Sequence, residues 1–207
     1  MVIVGSGHMG EVLSQGNVAV ALLANSTATG LALYVLIVLF APISGAHFNP
    51  AVSLALALRK AITWREMFAY LPLQIVGAII GVMTVHLMFG LDPVTWGTKL
   101  RSGPGIWLSE TIATIGLLLT ILLGHRARPA QLPALVGAYV ATAYWFTAST
   151  AFANPAVTIA RAFTTTFAGL RPIDVPGFII AQLVGVALAL PLAKRLLESR
   201  SPERASS

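Results

Sequence analysis

There is no cysteine in the 207 residues, and only seven side chains are acidic. The first absence excludes disulfides, thiolate catalysis and cysteine-ligated metal, and leaves the redox compartment open. The second keeps the charged fraction at 10%, where a soluble domain carries roughly 25%. The hydrophobic share is 57% and the mean hydropathy +0.83, the composition of a membrane protein. The net charge of +6 is strung between apolar runs and not gathered into a patch, so it reads as orientation signal and does not point to nucleic acid as a partner. No nucleophile–base pair or metal-ligand spacing is visible. His8, His86 and His125 stand apart and read as packing or interfacial residues, so no metal, cofactor or enzyme is implied.

The apolar runs give the organisation. Residues 1–13 are apolar but too short to span, and residues 14–17 are a turn. Spans are predicted over 18–40, 67–89, 106–124, 131–149 and 176–193, with a basic tail over 198–207. Two further segments match each other: Gly45-Ala46-His47-Phe48-Asn49-Pro50-Ala51-Val52-Ser53 and Ala151-Phe152-Ala153-Asn154-Pro155-Ala156-Val157-Thr158. Asn is a favoured helix cap and Pro a favoured first helical residue, so each copy starts a helix. Arg59 and Lys60 follow the first helix, and Arg161 the second, too soon for either to cross a bilayer core of about 30 Å, which takes roughly 20 residues. Two half-helices meeting end to end fill one span.

The chain is an internal repeat. Gln74-Ile75-Val76-Gly77 follows the first motif much as Gln182-Leu183-Val184-Gly185 follows the second. The expected organisation is one domain over 1–207, with repeat one at about 1–90 and repeat two at about 105–197. The span at 106–124 has no full counterpart upstream of residue 18. The repeat therefore predicts that the chain begins inside its first span, with Asn25 and residues 27–29 left facing lipid. Three spans per unit make the second unit inverted. With the tail inside, nine of the thirteen basic residues are cytoplasmic, and only Lys99, Arg101, Arg161 and Arg171 are outside.

Half-helix N-termini facing each other at the midplane each carry about half a positive charge and repel cations and protons. Asn49 and Asn154 use their side-chain oxygens as caps, which leaves the NH2 groups to donate to a neutral solute in the lumen. The irregular backbone before each motif is tolerated at membrane depth where it lines a water-filled cavity.

Two Asn-Pro-Ala copies in this context resemble the aquaporin and aquaglyceroporin (major intrinsic protein) family, and Ser44 to Val52 reads almost as its consensus. The resemblance implies an all-α membrane protein: an aquaporin-like inverted-repeat bundle with two half-helices, here with its first span cut short. It also implies a homotetramer in the inner (plasma) membrane, multi-pass, with a cytoplasmic C-terminus and passive flow of small neutral solutes through each subunit. The motif residues are Asn49, Pro50, Ala51, Asn154, Pro155 and Ala156. Counted without gaps, the family's filter falls on Thr29, Thr142, Ala151 and Val157. Water-selective members usually have an aromatic, a His and an Arg among these positions, and Arg usually stands where Val157 is. A bacterial member without the filter Arg is implied, similar to members associated with arsenic resistance. The filter is then wide and uncharged, suited to glycerol-like polyols or undissociated metalloid hydroxides such as arsenous acid. A strict water channel, a proton-coupled transporter and a junction protein are the competing readings.

Three polar residues have roles to test. The resemblance gives Glu110 the N–H groups of the second motif loop; proton relay is the alternative. His47 is expected to order the first loop. Arg161, one turn beyond Val157, either snorkels to the outer surface or places a guanidinium in the vestibule. Gly77 and Gly81 read as helix packing, and Trp64, Trp96, Trp107 and Trp145 as an interfacial belt.

Overall fold

A computed structural model describes residues 1–199. It is all-α among these residues: α1 Val2–Leu13, α2 Val18–Ser44, α3 Pro50–Leu58, α4 Trp64–Met88, α5 Pro104–Ala127, α6 Leu132–Phe146, α7 Pro155–Arg161 and α8 Val175–Glu198. Helices α2, α4, α5 and, with the short turn before it, α8 are long and apolar enough to cross a membrane. Of the predicted tail, Glu198 ends α8, and residues 200–207 lie outside the described residues.

The inverted repeat is seen in the packing. α1 lies on α2, α2 on α6, α5 on α8, and each half-helix lies on the long helix that follows it, α3 on α4 and α7 on α8. The half-helices also touch each other. α2 and α6 cross where Gly30 meets Gly137: a Cβ at Gly30 would come 2.6 Å from the Gly137 carbonyl oxygen. Gly185 does the same between α5 and α8, where a Cβ would meet Thr114 Cβ at 2.7 Å. The expected pairing role of Gly77 is not found. A Cβ there meets nothing within 4 Å, because that face of α4 borders a cavity.

Two helix ends and one exposure stand out against expectation. α2 runs through Pro42 to Ser44 and stops at Gly45, whose φ of 74° is the left-handed conformation that ends helices. α6 stops at Phe146, three residues early, because the chain must turn into the second motif loop with positive φ at Thr150, Ala151 and Ala153. Asn25 and Thr29 do not face lipid. α1 covers Asn25 and Tyr144 of α6 meets Thr29, leaving Asn25 2% and Thr29 7% exposed. Asn25 Nδ2 donates to the Ile3 carbonyl at 2.7 Å and to Ser6 Oγ at 3.0 Å. Of the region expected to face lipid, Thr27 stays exposed.

The ends of the bundle differ in chemistry. At one, Arg171 N–H donates to the Lys99 carbonyl at 3.1 Å and Arg101 N–H to Asp174 Oδ2 at 2.9 Å. Buried His86 ties α4 to this end through the Asp92 carbonyl at 2.8 Å and Thr164 Oγ1 at 2.8 Å. At the other, Arg126 Nη1 donates to the Leu197 carbonyl at 3.2 Å. All four Trp are exposed.

Candidate pore

Each motif begins with an extended Asn followed by Pro. Asn49 has φ −154° and its Oδ1 accepts Ala51 N–H at 2.8 Å. Asn154 has φ −155° and its Oδ1 accepts Ala156 N–H at 3.0 Å and Val157 N–H at 3.3 Å. The side-chain oxygens are thus used as caps. The sequence predicts amide groups free for the lumen, but each is partly used. Asn49 Nδ2 donates to the Ala153 carbonyl at 2.7 Å and Asn154 Nδ2 to the Phe48 carbonyl at 2.9 Å. Each Asn thereby grips the backbone just before the other. An amide has two N–H groups, so one per Asn remains for the cavity that both line.

The backbone before each motif has the same unusual pattern. Ala46 and Phe48, at φ 50° and 47°, match Ala151 and Ala153, at φ 47° and 46°, three residues and one residue before the Asn. Left-handed backbone in a residue with a side chain costs about 1–3 kcal/mol and persists where its surroundings hold it. Glu110 holds the second loop. Its Oε1 accepts Phe152 N–H at 2.8 Å, its Oε2 accepts Ala153 N–H at 2.8 Å, and the residue is 0% exposed. Gln182 Nε2 donates to Glu110 Oε2 at 2.7 Å and to Thr158 Oγ1 at 2.9 Å, and Thr158 Oγ1 donates to the Asn154 carbonyl at 2.8 Å. In repeat one Gln74 Nε2 donates to Ser53 Oγ at 3.0 Å, and His47 Nδ1 lies 3.2 Å from the same hydroxyl. His47 also packs on Tyr70, ring centroids 4.9 Å apart. The matching hydroxyls after Asn-Pro-Ala-Val and the matching Gln residues are therefore one device, used twice. Sequence reading paired them as repeat markers without finding this contact.

A cavity of about 590 Å³ runs past both motifs. It is lined mainly by apolar side chains, among them Leu33, Leu56, Val136 and Val140, with Asn49, Asn154, Thr29, Ala151, Val157 and His47 as part of the wall. Pro50, Ala51, Pro155 and Ala156 are buried beneath the motif turns. Thr142 is a correction. It is exposed, with Oγ1 donating to the Ala138 and Tyr139 carbonyls of its own helix at 3.0 and 2.9 Å. The face of α6 toward the cavity carries Leu132, Val136, Tyr139, Val140 and Ala143, the spacing of one helical stripe, and Thr142 falls off it. Ala143 stands in the wall instead, beside Tyr144, whose hydroxyl is 3.4 Å from Thr29 Oγ1.

Arg161 does not snorkel. It is 3% exposed, its guanidinium lies over the Phe152 ring with Cζ 3.4 Å from the centroid, and Nε donates to the Ala168 carbonyl. It lines the cavity. Sequence reading also passed over Arg101. That guanidinium ties the second loop to its surroundings through the carbonyls of Gly169 at 3.1 Å and Ser149 at 3.2 Å. Burial, first of all, pulls Arg101 below the ordinary arginine value, with Glu110 opposing the shift.

Comparison with known proteins points the same way. A family model described as major intrinsic protein matches residues 1–142. Over 200 residues the chain is 52% identical to the aquaglyceroporin AqpS of Rhizobium meliloti (strain 1021), covering 97% of this chain and 85% of that one. It is 38% identical over 92 residues to the glycerol uptake facilitator protein of Bacillus subtilis (strain 168), covering 39% of this chain and 34% of the relative. The solved aquaglyceroporin from Plasmodium falciparum has the same fold, with a TM-score of 0.69, 19% identity and 93% of each chain covered.

Proposed function

We propose that this chain, which belongs to the major intrinsic protein family, is a passive multi-pass membrane channel that conducts water, glycerol-like polyols and undissociated metalloid hydroxides such as arsenous acid. The observation that carries the reading is the crossed pair of Asn side chains. Two half-helix N-termini are locked together by Asn49 on Ala153 and Asn154 on Phe48, inside one cavity. Positive dipole ends there oppose cations, and the remaining amide N–H groups take a neutral solute's oxygen. Val157 puts no donor and little bulk where the family usually has Arg, and Ala143 and Ala151 add little more, which favours solutes larger than water. The names of the two bacterial relatives support glycerol as one such solute.

In this reading the chain is one channel domain, assembles as a homotetramer with a pore in each subunit, and lies in the inner (plasma) membrane with its C-terminus cytoplasmic. Stopped-flow light scattering on proteoliposomes tests it. Water, glycerol and arsenous acid should each enter faster than into empty liposomes, without saturation and without a proton gradient. Glycerol and arsenous acid fluxes at the empty-liposome rate, with fast water, would make it a strict water channel. Flux that needs a proton gradient would make it a coupled transporter.

A further inference from the structure

We infer that Arg161 is the specificity-determining residue of one mouth of the channel, its guanidinium fork taking paired hydroxyl oxygens of a neutral polyol as the solute passes Val157. The inference rests on the channel reading above and names how that channel chooses.

Arg161 is a fixed cation in the wall. Its Nε is taken by the Ala168 carbonyl and its plane lies on Phe152, so two sides of the group are held. Its terminal nitrogens make no hydrogen bond to any described residue, and the residue lines the cavity. Among the described residues no carboxylate forms an ion pair with it. The ion pairs among the described residues are Arg171–Asp174 and Lys194–Glu198. Both oxygens of Glu110 are occupied by Phe152, Ala153 and Gln182. A buried charge without a partner is costly. A surface cation would escape that cost, as Lys99 does by staying exposed, yet Arg161 is held inside.

Position explains what the fork can do. Val157 and Arg161 are four residues apart on α7, on one face and one turn from each other. Asn154 lies seven residues before Arg161, about 10 Å along a helix rising 1.5 Å per residue. The cavity thus has two donor stations, the spare Asn154 N–H and the Arg161 terminal nitrogens, with the apolar Val157 between them. A guanidinium presents parallel N–H groups, matched to two oxygens side by side. Hydroxyls on neighbouring carbons offer such a pair, and water offers one oxygen. The fork therefore replaces more of a polyol's lost hydration than of water's. Because it stands a turn away from Val157, it does so without filling the constriction.

The test compares Arg161→Lys and Arg161→Leu with the parent in proteoliposomes, reading glycerol permeability, water permeability and potassium leak. Lys keeps the charge and a donor for Ala168 but loses the fork. It should lower the glycerol-to-water ratio about threefold or more with potassium still excluded, while Leu should lower it about tenfold and admit potassium. A merely structural arginine would lower both fluxes together and leave their ratio alone. If the Leu variant does not insert, the Lys variant decides. A Lys variant inserted at parental density with the parent's ratio overturns the inference. A parent that passes no glycerol sinks the channel reading as well, so the two failures are told apart.

Discussion

Asn154 does three things at once: its oxygen caps α7, one amide N–H holds the Phe48 carbonyl, and the other faces the cavity. Asn154→Asp separates them. A carboxylate still caps the helix, but it cannot donate to Phe48 and sets a negative oxygen against that carbonyl, 2.9 Å away from the present nitrogen. We expect an inserted channel of lowered thermal stability that leaks protons or potassium. An inserted variant that holds a pH gradient as well as the parent would remove Asn154 from the barrier. Val157→Arg acts in the opposite sense. It brings a bulky cation into a wall formed with Thr29, Ala143 and Ala151, one turn from Arg161. Glycerol and arsenous acid flux should fall about tenfold or more, which needs a barrier rise of only about 1.4 kcal/mol, while water falls much less. An unchanged glycerol-to-water ratio in that variant would mean position 157 does not set the width. At this scale the sequence was legible where a residue's job is local. Asn before Pro announced a cap. It was not legible where the partner is distant: Asn49 meets Ala153 and Asn154 meets Phe48 across about a hundred residues, and no spacing rule reports that.

The helices place these residues by how closely they cross. Gly30 and Gly137 bring α2 against α6, which sets Thr29 and Ala143 on the same cavity wall. Gly137→Val should force that crossing apart, since a Cβ at Gly137 would lie 2.5 Å from the Gly30 carbonyl oxygen. Overpacking of this kind costs about 1–3 kcal/mol, so a lower melting temperature in detergent and an altered glycerol-to-water ratio are expected together. Gly77→Ala is the control. A Cβ there meets nothing within 4 Å, and Ala is the better helix former by about 1 kcal/mol, so stability should hold or rise. Equal melting temperatures for the two variants would dismiss the crossing as a determinant. The spans themselves were readable from apolar runs, but the faces of apolar helices were not. With hydrophobic residues all round, α6 gives no amphipathic stripe to show that Ala143 and not Thr142 turns inward. Gly77 and Gly81 have the spacing of a helix contact, and Gly81 makes one, where a Cβ would come 3.0 Å from the Met1 nitrogen, yet Gly77 borders open space. A small-residue pattern says that something can come close, not that it does.

Across the whole molecule the basic residues divide into two kinds. At one end Arg101 binds the carbonyls of Gly169 and Ser149, Arg171 pairs with Asp174, and Lys99 Nζ reaches the Phe167 carbonyl at 3.2 Å. Arg161 is buried. These four hold loops or line the cavity. At the other end Arg59, Lys60, Arg65, Arg126, Arg128, Lys194 and Arg195 are all exposed. Among the described residues their side chains make only Arg126 on Leu197, Arg128 on the neighbouring Ala127 carbonyl, and Lys194 near Glu198, 3.9 Å apart and exposed on both sides. An exposed pair of that kind is worth about 0–1 kcal/mol. What such residues do contribute is orientation, because short loops rich in Lys and Arg stay cytoplasmic. The end carrying α8's last turn should therefore be inside, and the end with the Leu91–Gly103 loop outside. Fluorescent-protein and alkaline-phosphatase reporters check this, fused after Glu198 and, separately, inserted between Asp92 and Gly97. Fluorescence without phosphatase activity is expected at Glu198, and the reverse in the loop. Replacing Arg126, Arg128, Lys194 and Arg195 with Gln should mix the two orientations, whereas replacing Lys99 and Arg171 should weaken folding and leave orientation alone. A phosphatase signal at Glu198 in the unaltered chain would reverse the assignment, and would put the Arg161 mouth on the cytoplasmic side.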